Sequence, residues 1–121
     1  MIITKEFLFK NPHAVFVFGD NLLRKGRGGA AVLRNYNTHG FITKKLPSNE
    51  DEAFFSPREY SPVYETEIEK LQKVIEENPN NIFLISPVGS GLANRYKIFE
   101  EVIVPNIKYD LKRYKNILWL W

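Results

Sequence analysis

Two short apolar runs, each followed by a cluster of glycines, constrain the fold of this chain most strongly. Residues 15–18 (Val-Phe-Val-Phe) lead directly into Gly19. Residues 81–86 (Asn-Ile-Phe-Leu-Ile-Ser) lead into a loop that contains Gly89 and Gly91. Continuous apolar runs of this length predict strands that are buried on both faces, as in a parallel sheet. Because a predicted helix follows each cluster, the runs indicate an α/β fold with two glycine loops at the carboxyl ends of its strands.

The rest of the chain completes this pattern within one domain, since 121 residues is the size of a single compact domain. A helix is expected to begin with Ser61 as its N-cap and to stop at residues 78–80. The predicted elements are strands over residues 1–4, 15–18, 41–44, 81–86 and 116–121, and helices over residues 29–36, 62–77 and 92–104. Together they predict an α/β sandwich of two or three layers around a mainly parallel central sheet.

The net charge of +3 conceals an uneven distribution along the chain. Residues 1–49 contain eight Lys and Arg against two Asp and Glu, residues 50–80 contain three against nine, and residues 81–121 contain six against three. A duplex-binding protein usually carries a basic stripe without such an acidic block. The distribution therefore argues against a DNA or RNA polymer as the partner and favours basic segments that serve one small anion.

Composition excludes several classes of protein and of functional site. The chain contains no cysteine, which excludes a disulfide framework, a thiol nucleophile and a thiolate metal site. Its apolar runs are far shorter than the roughly 18–20 residues of a membrane span, and no basic-then-apolar signal opens the sequence. We therefore expect an unexported, cytoplasmic protein without a membrane partner.

The glycine loops themselves predict an anion-binding site. Glycine lets a backbone approach a phosphate closely, and the free N–H groups at the start of a following helix attract an anion. Arg24, Lys25 and Arg27 bring positive charge to the first loop, and the planar arginine fork suits phosphate. Asp20 could bind ribose hydroxyls. The loops match neither the P-loop nor the dinucleotide fingerprint, and the alternative is that these glycines only form tight turns.

Aromatic side chains near the loops predict stacking against a flat base. Phe54, Phe55 and Tyr60 surround Arg58 in a long loop over residues 46–60. Rings and guanidinium planes are the groups on which bases stack. Two alternatives stay open, because Phe99, which follows the second loop, could belong to the core and the adjacent phenylalanines could form a dimer contact.

Few residues suit catalysis. His13 and His39 are not clustered, which does not suit a metal site, and neither Ser86 nor Ser90 lies in a nucleophile elbow. Asp20 is the one carboxylate inside a glycine loop, whereas glycoside chemistry usually uses a pair. We therefore expect a binding protein with no catalytic residue, metal or cofactor. The alternatives are an ADP-ribose hydrolase that uses Asp20 or His39, and a plain interaction module.

Three motifs resemble a known family. They are Phe-Gly-Asp-Asn-Leu at residues 18–22, Gly-Arg-Gly-Gly-Ala-Ala at residues 26–31 and Pro-Val-Gly-Ser-Gly-Leu-Ala at residues 87–93. Together with the chain length they resemble the phage Thoeris anti-defence sponges of the first-described type, over nearly the whole chain. Macrodomain-like ADP-ribose binders share the general plan of glycine loops on an α/β sheet. The resemblance therefore implies a nucleotide-binding domain over residues 1–121 that is macrodomain-like in plan.

The resemblance also implies a function. The sponges bind cyclic ADP-ribose isomers, such as glycocyclic ADP-ribose, which bacterial TIR-domain enzymes make during phage infection. They sequester this signal in the cytoplasm of the host bacterium without degrading it, so that the Thoeris effector stays inactive. They form homodimers, and some assemble into hexamers with further sites for cyclic oligonucleotides.

Site residues follow from two sources. The ligand contacts implied by the resemblance are Asn21, Arg24, Arg27, Gly28, Gly29, Gly89, Ser90, Gly91, Leu92 and Asn94. From their own residue types and positions, we further predict as ligand-binding residues Phe18, Gly19, Asp20, Arg58 and Phe99. For the homodimer, the C-terminal Trp119–Trp121 segment and the adjacent phenylalanines are the apolar groups that we expect to be buried between subunits.

Overall fold

Four parallel strands form the centre of the fold. The computed structural model describes residues 2–26, 33–34 and 37–121. In chain order its elements are α1 (Lys5–Lys10), β1 (Ala14–Asn21), β2 (Thr38–Lys44), a 3-10 turn (Asp51–Ala53), α2 (Pro57–Glu77), β3 (Ile82–Ile85), a second 3-10 turn (Leu92–Asn94), a π-helical turn (Phe99–Ile103), α3 (Ile107–Asp110) and β4 (Ile117–Trp119). The strand order is β2-β1-β3-β4, and every pair is parallel.

The strand order creates a switch point between β1 and β3. The chain moves from β1 to β2 on one side, and then crosses to β3 on the other side of β1. In open parallel sheets, such a reversal leaves a crevice at the carboxyl ends of the strands. The pairing of β1 with β2 is also irregular between Asp20 and Asn21, and such irregularities re-aim side chains near functional sites.

Helices cover both faces of the sheet. Successive residues of β1 enter different apolar clusters, because side chains alternate between the two faces of a strand. Val17 packs in the cluster that includes Tyr64 of α2, whereas Phe16 and Phe18 pack in the cluster that includes Leu8 of α1. The predicted α/β sandwich with a parallel central sheet is therefore confirmed, with one domain in three layers. No helix in the described ranges is long and apolar enough to cross a membrane.

Two buried side chains of α2 close the outer edge of β2. A carboxylate oxygen of Glu67, Oε1, accepts a hydrogen bond from the N–H of Ile42 at 2.7 Å. The hydroxyl of Tyr60 donates to the carbonyl oxygen of the same Ile42 at 2.6 Å. Unpaired edge groups invite strand addition by other chains. This pair of contacts therefore satisfies both backbone groups of Ile42 near the end of β2.

The predicted start of α2 at Ser61 is wrong, because the helix begins one turn earlier. Ser56 is the N-cap and Pro57 is the first helical residue. The Ser56 hydroxyl accepts from the N–H of Glu59 at 3.2 Å, and the Glu59 carboxylate accepts from the N–H of Ser56 at 3.0 Å. This reciprocal capping box selects the earlier Ser-Pro pair, and Pro62 lies inside the helix.

Two further predicted elements are wrong. Residues 2–4 are not a strand, because the Thr4 hydroxyl accepts from the N–H of Phe7 at 3.1 Å and caps α1. Residues 92–104 are not one helix. The side chain of Asn94 accepts from the N–H of Phe99 at 2.9 Å, and Lys97 adopts a left-handed φ of 69°. Such side-chain contacts compete with helical hydrogen bonds. The predicted helix over residues 29–36 lies, apart from Leu33 and Arg34, outside the described residues.

Candidate functional site

An open crevice of about 520 Å³ lies at the carboxyl ends of β1, β2 and β3. The lining residues come from both glycine loops and from the end of β2: Gly19, Asp20, Asn21, Lys25, Gly26, Thr43, Lys44, Pro47, Asn49, Ser86, Pro87, Val88, Gly89, Gly91, Leu92 and Ala93. The two loops therefore flank one crevice at the switch point of the sheet. Of the predicted ligand contacts, six line it together: Gly19, Asp20, Asn21, Gly89, Gly91 and Leu92.

The second glycine loop offers backbone donors to this crevice. Among the contacts of the described residues, the N–H groups of Gly89 and Gly91 have no acceptor. Gly89 adopts a left-handed φ of +85°, and a β-carbon there would lie 2.6 Å from Cδ1 of Ile103. Because only glycine suits that conformation and that space, residue 89 fixes the path of the loop. The free amides can donate to an anion in the crevice.

Two lysines supply positive charge to the lining. Lys25 is exposed, and no contact of its ammonium group occurs among the described residues. Lys44 donates to the carbonyl oxygen of Ser48 at 2.8 Å and to Oδ1 of Asn49 at 3.4 Å. Burial, together with the charge of Arg95, lowers the pKa of Lys44 below its ordinary value. A phosphate in the crevice would therefore meet one free ammonium group and one that is already oriented.

Asp20 supplies the one carboxylate among the described lining residues, and both of its oxygens are engaged with the protein. Oδ2 of Asp20 accepts from Arg34 at 2.6 Å and from Arg24 at 3.3 Å, and Oδ1 accepts from the N–H of Asn21 at 2.8 Å. Burial acts to raise the pKa of Asp20, but these hydrogen bonds and the Arg34 charge hold that pKa below its ordinary value. The Asp20 side chain is only 1% exposed, so it organises the first loop from beneath.

Arg24 does not line the crevice. Its guanidinium donates to the carbonyl oxygen of Gly40 at 3.0 Å in addition to Asp20, and it lies 3.9 Å from the buried Glu67. Arg24 instead lines a second groove of about 520 Å³, which is bounded by α2. The structure therefore gives no support to a contact between Arg24 and a phosphate in this crevice. Arg24 instead contacts Asp20 and helps to position that carboxylate.

Comparison with known proteins adds one finding. A model of the protein family DUF7831, a family of unknown function, matches residues 1–98. The chain belongs to this family. The match includes β1, β2, α2, β3 and both glycine loops, which are the elements that build the crevice. No curated protein and no solved structure matches the chain.

The remaining predicted contacts of this DUF7831 member lie away from the crevice or outside the described residues. Phe18 is buried in the core beneath Arg34, whose guanidinium lies 5.5 Å from its ring. Asn94 donates to Glu100 at 2.7 and 2.8 Å. Phe99 packs against Trp121 at 5.2 Å between ring centroids. Ser90 and Arg58 are exposed and are not part of the crevice lining. Arg27, Gly28 and Gly29 lie outside the described residues.

The long-loop aromatics are core residues of the DUF7831 chain. Phe54, Phe55 and Tyr60 are 3%, 5% and 0% exposed, so they are not available to stack on a ligand or to form a subunit contact. No lining residue of the crevice is aromatic among those described. Its apolar surface instead comes from aliphatic side chains such as Pro47, Val88 and Leu92. The expectation that these rings stack on a base is therefore wrong.

Two of the candidate catalytic groups, Asp20 and Ser86, line the same crevice, but both side chains are engaged with the protein. The Ser86 hydroxyl donates to the carbonyl oxygen of Val17 at 2.7 Å. Burial lowers the pKa of His39, and the nearby charges that act on it belong to Glu67, Arg24 and Lys70, which line the second groove. Within the described ranges, no group of three His, Asp or Glu side chains is placed to hold a metal ion.

Two charged residues of the site were not predicted from the sequence. Arg34 forms the ion pair beneath the first loop, fourteen positions from Asp20. No local pattern marks such a partner, because the contact depends on how the intervening chain returns. Lys44 could have been found, since it is the last residue of the predicted strand over residues 41–44 and the carboxyl ends of parallel strands meet at one edge of a sheet.

Proposed function

We propose that the crevice binds a nucleotide of the ADP-ribose type. One observation carries the proposal: both glycine loops border the same crevice. Among the described lining residues, the N–H groups of Gly89 and Gly91 have no acceptor, two lysines bring positive charge, and arginines neutralise the one carboxylate. This arrangement suits a pyrophosphate, because backbone N–H groups and ammonium groups make charge-assisted hydrogen bonds to phosphate oxygens.

The crevice has an apolar side for the rest of such a ligand. Leu92, which is 72% exposed, and Pro47 both line the crevice. A purine or ribose placed between them would remove aliphatic surface from water. Pockets for small molecules commonly combine such apolar walls with a few polar groups that fix orientation.

We propose further that the protein sequesters its ligand without turnover. Catalysis needs a positioned acid, base or nucleophile. The oxygens of Asp20 accept three hydrogen bonds from the protein, the Ser86 hydroxyl is engaged, and His39 is not part of the crevice lining. These contacts support binding over bond cleavage. The resemblance to the anti-defence sponges then suggests a cyclic ADP-ribose isomer as the ligand, captured in the cytoplasm of an infected bacterium.

The proposal includes a homodimer. Since Phe54 and Phe55 are buried within the chain, the exposed candidate surface is the sheet edge at β4, where Leu118 is 47% exposed. Closed two-fold dimers are the commonest assembly of soluble chains. Light scattering at micromolar concentration tests this point, and a mass of 14.2 kDa would contradict it.

The decisive experiment combines titration with a turnover assay. ADP-ribose and cyclic ADP-ribose isomers are titrated calorimetrically into the protein, and each is also incubated overnight with a small molar fraction of protein. We expect saturable binding and recovery of intact ligand after denaturation. Loss of ligand well beyond the number of sites would instead identify a hydrolase. If none of these nucleotides binds, the result would favour the alternative that the glycine loops only form tight turns.

A further inference from the structure

We propose that residues 90–97 form a strap across one end of the crevice and that Asp51 latches this strap to the opposite wall. The strap carries Gly91, Leu92 and Ala93 of the crevice lining. Pro47 and Asn49 also line the crevice, and in this proposal they form the wall opposite the strap. These walls come from segments more than forty residues apart along the chain, so their spacing depends on tertiary contacts between the two segments.

Four contacts join the strap to the opposite wall. Oδ1 of Asp51 accepts from Nη1 of Arg95 at 3.3 Å and also from the hydroxyl of Tyr96. Nη2 of Arg95 donates to the carbonyl oxygen of Asn49 at 3.3 Å, and the guanidinium lies 4.1 Å from the centroid of the Phe54 ring. We call the contacts of Asp51, Arg95 and Tyr96 the latch. None of these three residues lines the crevice, so they would act on a ligand only by positioning its walls.

Two residues with left-handed backbone conformations mark the ends of the strap. Gly89 precedes the strap and has a φ of 85°, and Lys97 is its last residue and has a φ of 69°. Both values lie in the left-handed region. Between these points its backbone hydrogen bonds are local: Ser90 donates to Pro87, Asn94 to Gly91 and Lys97 to Asn94. These bonds do not tie the strap to the sheet. Ala93 anchors the strap in the apolar cluster that includes Tyr64 of α2, and the side-chain latch supplies the link to the other wall. We propose that the latch limits local opening of the strap, since segments differ in the free energy of local opening.

The latch also connects to the ligand-facing lysine. Lys44 lies 4.9 Å from the same Phe54 ring that Arg95 covers, and it donates to the side chain of Asn49. Opening of the latch would therefore loosen both the wall at Asn49 and the support of Lys44. The consequence for ligand release rests on the proposed function, whereas the latch itself exists in the free protein.

The test measures the strap first without ligand. Asp51→Ala removes the shared acceptor, and Glu52→Ala is the matched control, because Glu52 lies in the same turn and has no contact with Arg95 or Tyr96 within the described part of the chain. Amide hydrogen exchange is followed at Ser90, Asn94 and Lys97 in each variant. We expect exchange about two- to fivefold faster in Asp51→Ala, as suits the loss of an exposed ionic contact, and wild-type rates in Glu52→Ala and at α2 in both variants.

A second measurement follows release of ADP-ribose from the loaded protein by stopped flow, where Asp51→Ala should accelerate dissociation by about the same two- to fivefold factor. Equal exchange rates in wild type and Asp51→Ala, or an equal increase in Glu52→Ala, would overturn the latch. Faster exchange with an unchanged dissociation rate would overturn its role in retaining the ligand. If the wild type binds no ADP-ribose, the proposed function fails, and the exchange measurement still decides whether the latch exists.

Discussion

Arg34 donates a 2.6 Å hydrogen bond to Asp20, and this ion pair lies directly beneath the first glycine loop. The same guanidinium donates to the carbonyl oxygens of Lys25 and Gly26, at 3.1 and 3.5 Å. Arg34 thus links the end of β1 to Lys25 and Gly26, the two residues of the first loop that follow β1 and line the crevice. The carboxylate of Asp20 serves as the anchor of this arrangement, which is why it is not free for a ligand.

Asp20→Asn should lower the free energy of unfolding by about 2–3 kcal/mol at pH 7, because two arginines lose their counter-charge while the 1% exposed side chain stays buried. The value is below that of a fully buried pair since the Arg24 side chain is 45% exposed. Urea denaturation measures the change. Glu69→Gln is the control, as Glu69 is exposed on α2 and forms no ion pair with any described residue. A result equal to the control would show that the ion pair contributes no stability.

Two glycines of the second loop should respond differently to alanine. Gly89→Ala forces a side chain into a left-handed conformation and places its Cβ 2.6 Å from Ile103, so we expect a loss of about 2–4 kcal/mol in unfolding free energy. Gly91→Ala meets no heavy atom within 4 Å, and we expect a loss below about 1 kcal/mol. Thermal and urea denaturation compare the two variants.

The same pair separates stability from binding. A β-carbon at Gly91 stands next to its free N–H at the crevice, so Gly91→Ala should weaken ADP-ribose binding although the protein stays folded. The double variant Gly89→Ala/Ile103→Val removes the Cδ1 atom in the clash and should recover part of the stability that Gly89→Ala loses. Wild-type affinity in Gly91→Ala would remove that amide from the proposed phosphate site.

The two lysines of the lining should each contribute to affinity. Lys25→Met removes an ammonium group that has no protein contact among the described residues, so we expect affinity for ADP-ribose to fall about tenfold, as for one charge-assisted hydrogen bond, with unchanged stability. Lys44→Met should weaken binding at least as much. Calorimetric titration measures both, with Lys73→Met on the exposed side of α2 as control. If Lys25→Met and Lys44→Met both bind ADP-ribose with the affinity of the Lys73→Met control, the result would contradict a phosphate at this crevice.

The α/β plan and the location of the crevice could be predicted from the sequence, because both follow from local signals. Residues 15–18 and 81–86 are continuous apolar runs, and the glycines after them mark the strand ends. In a parallel sheet those ends meet at one edge, which brings Gly19 and Gly89 together without further information. Both the sheet and the convergence of the loops therefore depend on short-range pattern and general topology.

The partners of individual side chains could not be predicted in the same way. Arg24 has the charge and position of a phosphate ligand in the sequence, yet Asp20, Gly40 and Glu67 occupy its guanidinium. Glu67 appears in the sequence as one of many charges on a solvated helix, yet it is 3% exposed and accepts a hydrogen bond from the N–H of Ile42. Such pairings span up to 43 positions, so they depend on the packed tertiary structure rather than on local spacing.

The carboxylate of Glu59, which caps the start of α2, should make the free energy of unfolding depend on pH in the acidic range. The hydrogen bond from Lys45, at 2.7 Å, and that from the N–H of Ser56 lower the pKa of Glu59 from 4.5 to about 2. Because the pKa is lower in the folded state than in the unfolded state, Glu59 contributes its full stabilisation above pH 4.5. That contribution is lost as the pH falls from 4.5 towards 2, when the folded state also takes up the proton. Urea denaturation of wild type and Glu59→Gln should therefore differ at pH 6 and converge near pH 2.

Carboxyl-carbon NMR titration measures the pKa of Glu59 directly and separates the two causes. Lys45→Met removes the strongest of them and should move the pKa of Glu59 upward, towards 4.5, while the capping bond from Ser56 keeps it below that value. Lys73→Met, which changes a charge elsewhere on the same helix, should leave the titration of Glu59 where it is in wild type. If Lys45→Met leaves the titration unchanged, the Lys45–Glu59 pair does not persist in solution, and the acid dependence must then come from the capping box alone.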